Sequence, residues 1–280
     1  MLPAKSQFAG IRRTSWLVLA STIVVYACAT LVVNWVLFQG KIGQSLGSLY
    51  SATGFLIRST LVGGLFTLLV IGTLVIAVGR LRCSDVGWAA REFRLGLLVT
   101  FGFWLAMNVV LAAIGALGDG VVLNQSWRQP EATALVGSLI GQLLGNALAE
   151  ETIFRGFLLP QLYLKTARSF RPGIALAIAV VGSSLLFSLS HVPNRLFVHG
   201  LTGSELIGDQ AGLFLLGVFI AGVYIVTQNL FVVVGLHALV NEPALIIGTS
   251  NEDWIYAVWG ALAVLLLLAW SVTAAMRNRA

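Results

Sequence analysis

Two adjacent carboxylates, Glu150 and Glu151, stand in an otherwise apolar run, with Arg155 four residues beyond the second. Charges are costly to bury in such a run, so their default reading is a functional site with partners elsewhere in the chain. At a spacing of four, Glu151 and Arg155 share a helical face and are expected to pair, which offsets much of the cost of carrying both into a low-dielectric region. Glu150 then points about 100° away, free to face a cavity. Two further groups accompany it. His191 closes the run Phe187-Ser188-Leu189-Ser190-His191, and His237 and Asn241 place an imidazole and an amide four residues apart on one face. Carboxylate, imidazole and amide are the groups of acid–base and polar stabilisation chemistry. Ser188 and Ser190 are possible nucleophiles in type, but neither has a base and an orienting group at recognisable spacing.

The elements that must hold these groups are membrane helices. The 280 residues are 58% hydrophobic and 10% charged, whereas soluble domains are about 25% charged, so a soluble globular domain is excluded. The net charge of +6 is no sign of nucleic-acid binding, because the basic residues are scattered between apolar spans without interleaved aromatics. Cys28 and Cys83 have the spacing of neither a metal site nor a disulfide framework. Apolar spans of about 20 residues are expected near 16–38, 55–79, 94–117, 133–160, 173–191, 211–227, 229–248 and 254–276. The fold class is therefore all-α, a polytopic transmembrane bundle of about eight helices. Residues 192–210 read as loop or re-entrant structure, and Thr227-Gln228-Asn229 is the only break between the sixth and seventh spans. The first span is long for a signal-peptide core and has no clear small-residue cleavage site, so it is read as a retained helix.

Twelve Lys and Arg fall on the side of the termini, including Lys5, the group from Arg80 to Arg94, and Arg277 and Arg279. Four fall opposite, Lys41, Arg58, Arg128 and Arg195, together with acidic residues that include Asp119, Glu205 and Asp253. The positive-inside rule then puts both termini in the cytoplasm, and the lack of organelle-targeting features suits a bacterial inner (plasma) membrane.

In an antiparallel hairpin, residues equidistant from the turn share a depth. The midpoint of Glu150 and His191 falls beside Phe170-Arg171-Pro172-Gly173, a turn signal. The two can face each other if the fourth helix continues past Pro160, with a kink there, to about Ala167. His237 lies closer to its own turn and reaches that depth only if the hairpin protrudes into the cytoplasm.

Glu-Glu-x-x-x-Arg, then Phe-x-x-x-His, then His-x-x-x-Asn, in this order on consecutive helices, resembles the signature of the CPBP family. These are the CAAX-processing and bacteriocin-processing membrane proteases that include the type II CAAX prenyl endopeptidase. The resemblance covers roughly residues 133–248 and implies a catalytic transmembrane core there, between N-terminal helices (1–132) and a C-terminal helix with a short tail (249–280). The first three spans carry no such signature.

The resemblance implies intramembrane peptide-bond hydrolysis from a cytoplasm-facing cavity. Glu150 would activate water, His191 would help to hold it, and His237 and Asn241 would stabilise the oxyanion. Glu151 and Arg155 would support the site, with Phe187 packed beneath it. The expected partners are membrane lipid and a peptide or membrane-protein substrate, with no nucleic acid. Glu150, His191 and His237 would equally suit a zinc ion with an open position for water. The metal-free mechanism is preferred because the sequence identifies no second carboxylate to orient either histidine. The alternative is a non-enzymatic membrane protein, a bacteriocin immunity or interaction factor or a transporter, that uses the same cluster as a binding site. His199, in a loop, is given no role, and Asn241, before Glu242-Pro243, also suits a helix end.

Overall fold

A computed structural model of the chain describes residues 8–38, 41–118, 120–128, 131–249 and 251–277. Lys5, Asp119 and Arg279, used in the charge count, lie outside the described residues, as does the side chain of Arg277. The architecture is all-α. In chain order the helices are α1 (Trp16–Val32, extended by wide turns Val33–Phe38), α2 (Lys41–Ala52), α3 (Ser59–Gly72, extended by Thr73–Val78) and α4 (Ala90–Leu117). There follow α5 (Glu131–Thr166), α6 (Pro172–Ser190), α7 (Val192–Phe197), α8 (Gly203–Thr227), α9 (Leu230–Asn241) and α10 (Asp253–Arg277). Two short strands, β1 (Val122–Leu123) and β2 (Ile247–Gly248), pair antiparallel.

Seven helices among the described residues are long and apolar enough to cross a membrane, and the chain is an integral membrane protein. The expected seventh span, 229–248, is corrected. Its helix, α9, has only 12 residues, or about 18 Å at 1.5 Å per residue, too short for a hydrocarbon core of about 30 Å. Asn229 starts it by accepting from the Phe231 and Val232 amides, after Gln228 has closed α8 in the left-handed region. Asn241 is its last helical residue; Glu242 and Pro243 follow, and the chain then runs on to β2. Nine of its residues are buried, as befits a helix that is apolar all round and packed inside a bundle.

Two further boundaries differ from expectation. Residues 41–52 form a separate helix before the second span, and the expected loop 192–210 contains α7 and the start of α8. Positive φ at Gly200 and Gly203 makes the intervening turn. The α5–α6 hairpin is as expected: α5 runs to Thr166 and α6 begins at Pro172, where a proline fits the first helical position.

α5 is fixed against α3 backbone to backbone. Gly137, Gly141 and Gly145 recur every four residues along α5. A Cβ on Gly137 would lie 2.1 Å from the Phe55 carbonyl oxygen, and one on Gly64 would lie 2.2 Å from the Gly145 carbonyl carbon. Small residues allow such contact, and in lipid this packing is itself a driving force. Gly64→Ala is therefore expected to destabilise the protein by about 1–3 kcal/mol. Gly72→Ala, on the same helix with nothing within 4 Å of its Cβ, should leave the unfolding midpoint in detergent unchanged. Equal midpoints for the two variants would refute the packing role.

Candidate active site

One turn beyond Gly145, α5 brings Glu150 and Glu151 to the middle of the bundle. Wide π turns flank them at Gly141–Asn146 and Thr152–Leu158. Such turns are common at functional sites, and the second runs up to Pro160, which has no N–H to give to a helical bond. Glu151 is fully buried, whereas Glu150 is 8% exposed and reaches a cavity.

Glu151 and Arg155 pair as their spacing predicts, and each has further partners. Arg155 Nη1 donates to Glu151 Oε1 at 2.8 Å, Nη2 donates to the Gly217 carbonyl at 3.0 Å, and the guanidinium lies 4.6 Å over the Phe187 ring. The same Glu151 oxygen is 2.6 Å from His237 Nδ1. A carboxylate only accepts, so Nδ1 carries the hydrogen. His191 is fixed in the same way, its Nδ1 donating to the Phe187 carbonyl at 2.8 Å. Both rings therefore turn Nε2 toward Glu150. His191 Nε2 is 3.6 Å from Oε1, and His237 Nε2 is 3.6 Å from Oε2. The Phe187 ring packs against both imidazoles, with centroids 4.7 and 5.8 Å away, and so sits beneath the site as expected.

All four expected groups, Glu150, His191, His237 and Asn241, line one cavity of about 760 Å³. Sequence reading missed most of its wall. Gln142 and Asn146 stand eight and four residues before Glu150, and Tyr26, Thr30 and Asn34 form a similar stripe on α1. Polar groups recurring every four residues in an apolar span are legible in sequence. α3 adds Thr60 and Thr67, so the first spans do contribute to the site, and His199 reaches the cavity from its loop. Asn241 lines the same cavity as His237 but is less enclosed. It is exposed at the end of α9, and its Nδ2 donates to Gln142 Oε1 at 3.1 Å. The serine hydroxyls are engaged: Ser188 donates to Gln210 and Ser190 to the Phe187 carbonyl.

Residues 132–242, which contain every one of these four groups, match the family model described as type II CAAX prenyl endopeptidase Rce1-like. The match covers 111 of the 280 residues, and over that segment the chain is similar to the family. No curated protein and no solved structure matches the chain. The family match supports protease activity of the CAAX type in general.

Contrary to expectation, a second carboxylate does orient a histidine: Glu151 holds His237 through Nδ1, an arrangement also usual behind metal ligands. The placement of the three donors does not follow suit. Each Nε2 faces a different oxygen of Glu150 at 3.6 Å. Among the described residues no group of three or more His, Cys, Asp or Glu is placed to hold a metal ion.

A second pair of expectations also conflicts. α1, α4, α6 and α9 start at the end of the bundle that carries the basic loops, and α3, α5, α8 and α10 start at the other. Cavity-lining residues lie from the middle of these helices toward the second end, as with Asn34 on α1, Thr60 on α3, Gln142 on α5, Asn241 on α9 and Tyr256 on α10. The cavity lining therefore lies toward the end opposite the basic loops. Cytoplasmic termini and a cytoplasm-facing cavity exclude each other.

Proposed function

We propose that the CAAX-protease-like segment hydrolyses a peptide bond with water activated by Glu150, in a bacterial plasma membrane and with both chain ends cytoplasmic. The observation that carries this reading is the fixed pair of imidazoles, each held through Nδ1, with each Nε2 facing one oxygen of a single carboxylate. Water placed there gives one hydrogen to Glu150 and the other to His191 Nε2, which aims an oxygen lone pair at the substrate carbonyl carbon. Glu150 takes the first proton as the C–O bond forms. It then returns that proton to the amide nitrogen as the C–N bond breaks, leaving a carboxylic acid and an amine. Asn241 Nδ2 has a second hydrogen beyond the one given to Gln142, available to the developing oxyanion. His237 Nε2 can donate there only when its ring carries both protons.

No step is routed through a metal. The test is cleavage of a labelled membrane-peptide library in proteoliposomes, with metal content measured before and after chelation. Turnover is expected to persist in protein shown to be metal-free. Loss on chelation with recovery on adding zinc would overturn the metal-free reading, and binding of peptides without cleavage would favour the immunity or interaction factor.

A further inference from the structure

The basic end of the bundle is closed. Phe154, Phe157, Leu158 and Phe187 are buried below Glu150, and residues 8–14 are strapped across the hairpin beyond them. Gln161 accepts from the Thr14 amide at 3.0 Å and donates to the Arg12 carbonyl at 2.7 Å, Lys165 donates to the Thr14 carbonyl at 2.8 Å, and Phe8 packs on Tyr163 at 5.0 Å. The lining of the Glu150 cavity reaches the opposite end, where Thr60, His199, Asn241 and Tyr256 stand. Charge separates the same two ends. Nine Lys and Arg with described side chains lie at the closed end, from Arg12 to Arg171, and four at the cavity end, where Glu131, Glu205, Asp209, Glu242, Glu252 and Asp253 also gather. Lys and Arg in short loops are retained on the cytoplasmic side.

We infer that the cavity opens to the extracytoplasmic face of the membrane, so that its substrate is a polypeptide segment already inserted or exported and presented from that side, not a cytoplasmic chain end. This rests on the proposed hydrolysis for the word substrate, but the orientation stands on packing and charge. The two native cysteines, both free and exposed, supply the test. In a Cys28→Ser background, Cys83 reports the closed end. Glu205→Cys and Thr60→Cys, each made with Cys83→Ser, report the cavity end and the cavity wall.

Intact expressing cells are treated with a small membrane-impermeant thiol reagent, with and without permeabilisation. Glu205→Cys and Thr60→Cys are expected to label in intact cells, and Cys83 only after permeabilisation. Labelling of Cys83 in intact cells, or of Thr60→Cys only after permeabilisation, would overturn the inference. Labelling reads orientation whether or not the protein cleaves anything, so the expected pattern in a protein without turnover would sink the hydrolysis alone.

Discussion

Glu150→Gln is expected to lower turnover in proteoliposomes by about 10²- to 10⁴-fold, the usual contribution of a positioned general base, while leaving the fold intact. Gln has the size and shape of Glu but cannot take the proton from water. The stability side follows from the surroundings. Glu150 Oε2 is buried without a hydrogen bond among the described residues, and neither histidine comes within direct hydrogen-bond distance of the carboxylate. Replacing an under-partnered buried carboxylate with a neutral amide removes a desolvation cost. The thermal unfolding midpoint in detergent should therefore stay level or rise, as is common when a functional group held at the expense of stability is removed. A Glu150→Gln rate within about threefold of wild type would rule out the base assignment.

The opposite pattern is expected for Arg155→Ala. Arg155 and Glu151 are 1% and 0% exposed, and removing the cation leaves a carboxylate buried with only His237 Nδ1 beside it. Breaking a buried pair from one side costs about 3–5 kcal/mol, on the order of 10 °C in unfolding midpoint for a chain of this size. Arg155→Lys should recover only part of this, because one ammonium cannot reproduce the two separately aimed bonds to Glu151 and the Gly217 carbonyl. Glu151→Gln removes the negative charge of the pair and leaves a neutral amide oxygen, a weaker acceptor, to fix the His237 ring, so it should lower both stability and turnover. If Glu151 were only a packing partner of Arg155, Glu151→Gln and Arg155→Ala would lose turnover only in proportion to lost folded protein. The discriminating measurement is the rate per folded molecule, which should fall further for Glu151→Gln.

Residue type and spacing in the sequence were enough to give the helical class, the membrane setting, the Glu151–Arg155 pair, and the hairpin that sets His191 opposite Glu150. Each rests on local rules: a turn at Pro172, a spacing of four on a helix, a run of apolar residues. The length of α9 was not legible, because an apolar run reads the same whether a helix crosses lipid or is buried among other helices, and Pro243 was the only local sign that it ends early.

The bond between His237 and Glu151, 86 positions apart, was decided by tertiary structure, as was the placing of α1 and α3 as walls of the cavity. Periodicity tells which residues share a face but not what lies across from it. The same limit applies to direction. The sequence determined which end of the bundle is basic, since charge is counted loop by loop. Only the packing of Phe154, Phe187 and the residue 8–14 strap decided that this end is closed and that Glu150 faces the other way.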